Sequence, residues 1–215
     1  LIKALCGSHI ASGPSGSPTR GRTEVLPTGR NFYSIDLRGL PTESAWDLGR
    51  RSANNILELY IQENGIDLTH LALSVWGTST MRNGGEDICQ LLALIGVRPI
   101  WDGPTRRFVD LEVIPLSILG RPRVDVTLRI SGLFRDAFPN LISCVSRAQK
   151  LVRNLEEPED QNFYANSVNN GGTKSRIFGS APNAYGAGLN HLIDSGNWEQ
   201  SKDLAEAYIS WSKWS

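Results

Sequence analysis

The residues of this chain that could do chemistry gather in a few Gly-containing stretches. Their types point to proton, anion or metal handling. Glu86 is the most informative carboxylate. It follows VWGTSTMRNGG (Val75 to Gly85) and opens an apolar run, where a strand would hand a loop to a helix. Helix N-termini welcome acids, so a first-turn Glu is the plainer reading. The functional reading is a proton acceptor or metal-facing oxygen at a strand's carboxyl end. Pattern alone favours the plainer one. Arg82 shares that loop, and Arg135 and Asp136 lie in a second stretch of the same kind, RPRVDVTLRISGLFRDAFPN (Arg121 to Asn140). In open α/β sheets ligands sit where such loops cluster. From Gly7 to Gly39 the sequence is rich in Gly, Pro, Ser and Thr, yet it holds Arg20, Arg22, Arg30, Asn31, Phe32 and Tyr33. A linker and an ordered, anion-facing loop both fit that composition, since guanidinium forks suit carboxylates.

Other chemistries are excluded or left thin. The three histidines are far apart: His70 opens a strand, whereas His9 and His191 lie in Gly-rich regions and could face a metal. NNGGTKS (Asn169 to Ser175) lacks the Gly and Lys positions of a phosphate-binding loop and follows no apolar strand. No GxGxxG, GxSxG, HExxH or CxxC occurs.

The elements that must position these residues follow from periodicity. Thr42 to Asn64 reads as a long helix, with Thr42 as N-cap, Gly65 as stop, and Trp46, Ala53, Ile56, Leu57 and Tyr60 on one face. Leu71 to Trp76 reads as a strand buried on both faces, and GTSTMRNGGE as a loop. A helix follows over Asp87 to Ile95, stopped by Gly96, then a strand over Val97 to Trp101. The tight DGPTRR joint leads to a short strand or edge over Leu111 to Pro115, since Pro115 forbids a central ladder position. Val124 to Ile130 is the third clear strand. Pro139 to Val152 is a helix with Leu141, Cys144, Val145, Ala148, Leu151 and Val152 on one face. RIFGSAPNAYGAGLN (Arg176 to Asn190) reads as a Gly-rich turn, and a last helix starts near Lys202 with Trp198 packing ahead of it. The fold class is α/β: a doubly wound, mostly parallel sheet layer with flanking helices and long Gly-rich loops. Three segments are expected: a Gly/Pro/Arg-rich loop packing on the body (1–40), a Rossmann-like domain (41–155) and a mainly helical stretch with a Gly-rich loop (156–215).

The chain has 215 residues, with 22 basic and 22 acidic side chains. No global field therefore favours nucleic acid or an anionic membrane. No apolar run would span a bilayer as a helix. Three widely spaced cysteines, Cys6, Cys89 and Cys144, read as buried thiols of a reducing, cytosolic compartment. The chain opens on LIKALCG and closes on AEAYISWSKWS, whose Tyr208, Trp211 and Trp214 would share a helix face needing cover. A piece of a longer polypeptide is the expectation.

Several stretches carry a resemblance in fixed order: GPSGSPTRGR, LPTGRNFYSID, VWGT with RNGGEDICQLLALIGVRP, LGRPRVDVTLRISGLFRDAFPN, EPEDQNF and RIFGSAPNAYGAGLN. Together they cover nearly all of the chain, which resembles the central part of the large subunit of the cobaltochelatase (CobN) and magnesium chelatase H family. LPTGRNFYS and FGSAPNAYGAG are more similar to the cobalt branch. The chain departs from the pattern at Asn83, where Thr is usual, and in the final SWSKWS.

The resemblance implies a large subunit that binds a tetrapyrrole and a divalent metal while AAA+ partner subunits hydrolyse ATP. That division would account for the missing phosphate-binding loop. It implies insertion of Co2+ into hydrogenobyrinic acid a,c-diamide, with Mg2+ and protoporphyrin IX as the close variant and a non-catalytic tetrapyrrole-binding scaffold as the alternative. Glu86 matches an acidic position implicated in the family's active site and is the expected base or metal relay. Arg30, Arg135 and Arg176 are the expected clamps on the macrocycle's carboxylates. Asn31, Tyr33, Asp136 and Tyr185 belong to the same motifs, and a structural Arg135–Asp136 network is an equal reading of that pair.

Overall fold

The computed structural model describes residues 2–13, 16, 18, 23–27, 29 and 36–215. The chain opens on a short helix α1 (Ile2–Leu5) that buries nothing, which leaves Cys6 exposed instead of buried as expected. Within the Gly-rich stretch, Val25 is buried.

Helix α2 (Glu43–Asn64) forms as its caps dictate. The Thr42 hydroxyl accepts from the Ala45 N–H at 3.1 Å, and Gly65 takes the left-handed conformation that ends the helix. Trp46, Ala53 and Leu57 bury its apolar face against α4 (Glu86–Ile95). Ile88, Leu91, Leu92 and Leu94 of α4 are fully buried, so this helix is the spine of the core.

The main sheet has three parallel strands in the order β1 (His70–Val75), β4 (Asp125–Ile130), β5 (Ile177–Gly179). Between them run α3 (Gly77–Asn83), β2 (Val97–Trp101), β3 (Phe108–Val113) and α5 (Leu116–Leu119). Then come α6 (Gly132–Ala137), α7 (Pro139–Arg153) and α8 (Phe163–Asn169), with α9 (Asn190–Ser195) and α10 (Ser201–Trp211) after β5. The α/β class with a mostly parallel sheet and flanking helices therefore holds.

Four local expectations differ from the structure. First, β1 is an edge strand: Leu71, Leu73 and Val75 turn inward, while His70, Ala72 and Ser74 are exposed. An apolar run cannot by itself tell an edge strand from a central one. Second, β2 and β3 do not join the parallel layer but pair with each other, antiparallel. The joint between them is too short for a parallel crossover, which takes a dozen or more residues. Third, the stretch read as a loop after β1 is helix α3, and the stretch read as a turn at Arg176 contains β5. Fourth, Leu151 of α7 is exposed while Gln149 is buried and donates to the Val126 carbonyl.

Two arginines close the end of α4. The Arg121 guanidinium donates to the carbonyls of Ala93 and Leu94, and burial lowers its pKa to about 10. Arg123 is fully buried and donates to Ile95, Gly96 and Ile114 carbonyls and to both Glu157 oxygens. These cations meet the free carbonyls and negative dipole of a helix C-terminus.

Candidate functional site

Each parallel strand ends by handing over to a glycine: Trp76–Gly77 after β1, Ser131–Gly132 after β4, and Phe178–Gly179 in β5. The three ends lie side by side at the carboxyl edge of the sheet, where α/β folds place ligands. The Ser131 hydroxyl accepts from Gly77 N–H and Phe134 N–H, both at 3.2 Å, which ties the first end to the second and caps α6. Gly132 lets the loop after β5 lie close: a Cβ there would meet the Ala184 carbonyl at 2.5 Å and the Tyr185 ring at 2.9 Å.

Arg135, on α6, holds the start of that loop. Its guanidinium donates to the carbonyls of Ser180 (2.8 Å) and Ala181 (2.7 Å) and to the Asp136 carboxylate (2.8 Å). The Tyr185 hydroxyl donates to the other Asp136 oxygen at 2.6 Å. The Arg135 guanidinium, aided by Tyr185, holds the Asp136 carboxyl below the usual carboxylate range, and that carboxylate pushes the Tyr185 phenol up. Arg135, Asp136 and Tyr185, far apart in the chain, are thus brought together.

Glu86 stands apart from this cluster. It is the first residue of α4, half-buried, and among the described residues its carboxylate makes no hydrogen bond or ion pair. Burial raises its pKa and the neighbouring Asp87 raises it further. An acid held above its ordinary range without a cation beside it is poised to accept a proton.

Arg176 is committed elsewhere. It is buried, forms a bidentate pair with Asp125 (2.7 and 2.8 Å), and donates to Ser167, Ser175 and Thr173. With Tyr164 against its face, all five N–H donors have partners, so none is left to grip a ligand. His9 and His191 are both exposed, and no group of three His, Cys, Asp or Glu suited to a metal occurs among the described residues. Arg30, Asn31 and Tyr33 lie outside the described residues. Burial pushes the Cys144 thiol up to about 12 and the Cys89 thiol well up, so both act as apolar core.

One residue escaped sequence reasoning. Arg129, next to last in β4, is buried beneath the Gly-rich loop. Its guanidinium lies over the Trp76 ring at 5.5 Å and the Tyr208 ring at 5.1 Å. Tyr208 thus covers a charge, while Trp211 and Trp214 stay part-exposed. The available signal was a basic residue flanked by Leu128 and Ile130, late in the strand DVTLRI that runs directly into Ser-Gly. On the other side of β5 a cleft of about 470 Å³ runs between that strand and α7. Lys150, Arg153, Lys174 and Arg135 line it, and among the described residues no acidic side chain does.

The fold and this edge define an α/β protein whose sheet has a cationic and aromatic carboxyl edge. The chain belongs to the CobN/Magnesium Chelatase family, whose model matches residues 1–215. It is 51% identical over 98% of its length to the aerobic cobaltochelatase subunit CobN of Pseudomonas aeruginosa, covering 18% of that protein. The H-type magnesium-chelatase polypeptide of Cereibacter sphaeroides is 36% identical over 97% of the chain, which covers 18% of that relative. Among solved structures, the catalytic subunit of cobaltochelatase from Mycobacterium tuberculosis superposes with a TM-score of 0.81 at 47% identity, covering 98% of this chain and 19% of that one. The chain therefore spans less than a fifth of the relatives it matches.

Proposed function

We propose that this chain belongs to the catalytic, tetrapyrrole-binding subunit of an ATP-dependent, cytoplasmic chelatase that inserts Co2+ into hydrogenobyrinic acid a,c-diamide for cobalamin biosynthesis. The observation that carries the reading is the cationic and aromatic carboxyl edge, in a chain more similar to the CobN relative (51%) than to the magnesium one (36%). Metal insertion into a tetrapyrrole needs a base for the two pyrrole protons and cations for the carboxylates around the ring. Glu86, unpaired and with a raised pKa, is the base or metal relay. Arg135, steadied by Asp136 and Tyr185, faces the macrocycle's rim, with Arg30, Asn31 and Tyr33 completing the grip. Arg176 contributes by fixing β5 to β4 through Asp125, not by touching the substrate. His9 and His191 would take part in metal delivery only with ligands from elsewhere in the complete polypeptide. ATP is hydrolysed by AAA+ partner subunits.

An absorbance titration of the full-length polypeptide with hydrogenobyrinic acid a,c-diamide and with protoporphyrin IX tests this. Tight binding of the corrin precursor alone supports the cobalt reading. Preference for the porphyrin moves the protein to the magnesium branch, and binding of neither sinks the tetrapyrrole reading.

A further inference from the structure

Arg129 is a buried cation without an anion. It is 8% exposed and forms no ion pair among the described residues. Its two hydrogen bonds are both at the long end of the range: Nε to the Ser212 hydroxyl at 3.4 Å and Nη2 to the Gly186 carbonyl at 3.3 Å. Its Nη1 is buried with no partner at all, and is the one such side-chain atom among the described residues. A buried charge is normally paired, and a buried donor normally bonded. Two aromatic faces steady a guanidinium but leave its in-plane N–H groups unused. The other buried arginines show what satisfaction looks like here: Arg123 and Arg176 each hold a carboxylate with the fork and fill every donor. Arg129 presents the same fork with no carboxylate opposite it.

Its place makes that free fork usable. Arg129 lies at the carboxyl edge of the central strand, paired with Ser74 and Phe178 on either side. Its roof is the loop after β5, which Arg135 holds at Ser180 and Ala181 and Arg129 holds only through the weak Gly186 contact. Gly186 is exposed, has a positive φ (79°), and a Cβ there would meet nothing, so the roof has room to shift at this one residue while Tyr185 stays held on Asp136 and Gly188 stays against Trp211. Trp76, 48% exposed, borders the same spot with an apolar face.

We propose that Arg129 is a substrate-binding residue: its guanidinium fork takes one peripheral carboxylate of the tetrapyrrole when the loop shifts locally at Gly186, with the ring edge against Trp76. The inference rests on the tetrapyrrole reading above and adds a residue that the family resemblance did not supply. A bidentate carboxylate replaces two long bonds and satisfies the orphan donor.

The test compares binding of hydrogenobyrinic acid a,c-diamide with binding of the same macrocycle after its free carboxylates are converted to methyl esters. Full-length wild type, Arg129→Met and Arg129→Lys are titrated by absorbance. Hydrogen bonds to charged groups translate to about 10–100-fold in affinity. Arg129→Met is expected to lose the free acid by about that factor and leave the ester's affinity unchanged, with Arg129→Lys intermediate. Equal losses for acid and ester would show a purely structural role and overturn the proposal, as would no loss for either. If Arg129→Met does not fold, Arg129→Lys decides alone. A smaller acid-to-ester preference than wild type supports the assignment, and an unchanged one overturns it. Failure of wild type to bind either macrocycle overturns the parent reading as well, so the two failures are distinguishable.

Discussion

The two ends of β4 treat the same chemistry in opposite ways. At the amino end, Asp125 is 3% exposed, paired bidentately with Arg176 and within 3.9 Å of the His70 imidazole. Two residues earlier, Arg123 satisfies all its donors on Glu157 and three backbone carbonyls. At the carboxyl end, Arg129 is equally buried but keeps an orphan donor, and Arg135 shares one exposed carboxylate with Tyr185. A saturated buried network cannot bind anything without first breaking itself, so its contribution is to fix geometry. An unsaturated one costs stability in the free protein and has something left to offer a ligand. The sheet therefore has a structural end and, on the function proposed above, a binding end, joined by a single short strand.

The largest expected effect falls on the structural end. Asp125→Ala strands the buried Arg176 guanidinium, and breaking one partner of a buried pair costs about 3–5 kcal/mol. The full-length polypeptide should show a much lower midpoint in urea or fail to accumulate. A shift of only a few tenths of a kcal/mol would mean that Arg176 finds other partners, and the contrast between the ends would lose its basis. Next in size is Glu86→Gln, which removes a proton acceptor and keeps the shape. Loss of about 10²-fold or more in metal-insertion rate is expected, with little change in the melting temperature of the polypeptide. Unchanged turnover would return Glu86 to the plainer role of a helix-start acid.

How far the sequence led depends on whether the cause was local. The ends of α2 were legible because Thr42 and Gly65 act on their own helix. The burial of α4 was legible because EDICQLLALI is an almost unbroken apolar run after its first two residues. Glu86 could be placed at a helix start, and Arg135 and Asp136 near a strand end, on the same grounds. What stayed hidden were matters of partnership across the chain. Nothing near Arg176 in sequence announces Asp125, 51 residues earlier, so a structural arginine read as a clamp. Nothing near Arg129 announces that no carboxylate arrives. The separate β2–β3 hairpin was legible in principle, since its joint is too short for a parallel crossover, but the run of strands suggested one layer.

A smaller effect sharpens the contrast between the ends. Arg129→Met removes a charge that had no counter-ion and leaves no carboxylate behind. It loses the stacking on Trp76 and Tyr208 but also removes the orphan donor, so a net change of about 1 kcal/mol or less is expected, of either sign. Urea unfolding of full-length wild type beside Arg129→Met and Asp125→Ala gives the comparison directly. Arg129→Met should be the milder by a wide margin. A loss as large as that of Asp125→Ala would make Arg129 a second structural anchor and erase the distinction.

The smallest effect is a shift in pH dependence. Only the deprotonated Glu86 carboxylate accepts a proton, so insertion should fall as pH drops through its pKa. Burial, the larger cause, and Asp87, the smaller, both raise that pKa, so the acid limb of the rate profile lies above the ordinary glutamate range. Asp87→Asn removes the like charge but not the burial. The limb should move to lower pH by less than the whole displacement, while the plateau rate at higher pH stays where it was. A limb that does not move, in an enzyme whose rate still depends on Glu86, would assign the titration to another group. Asp136 would be a poor candidate for it, because Arg135 and Tyr185 push its pKa down.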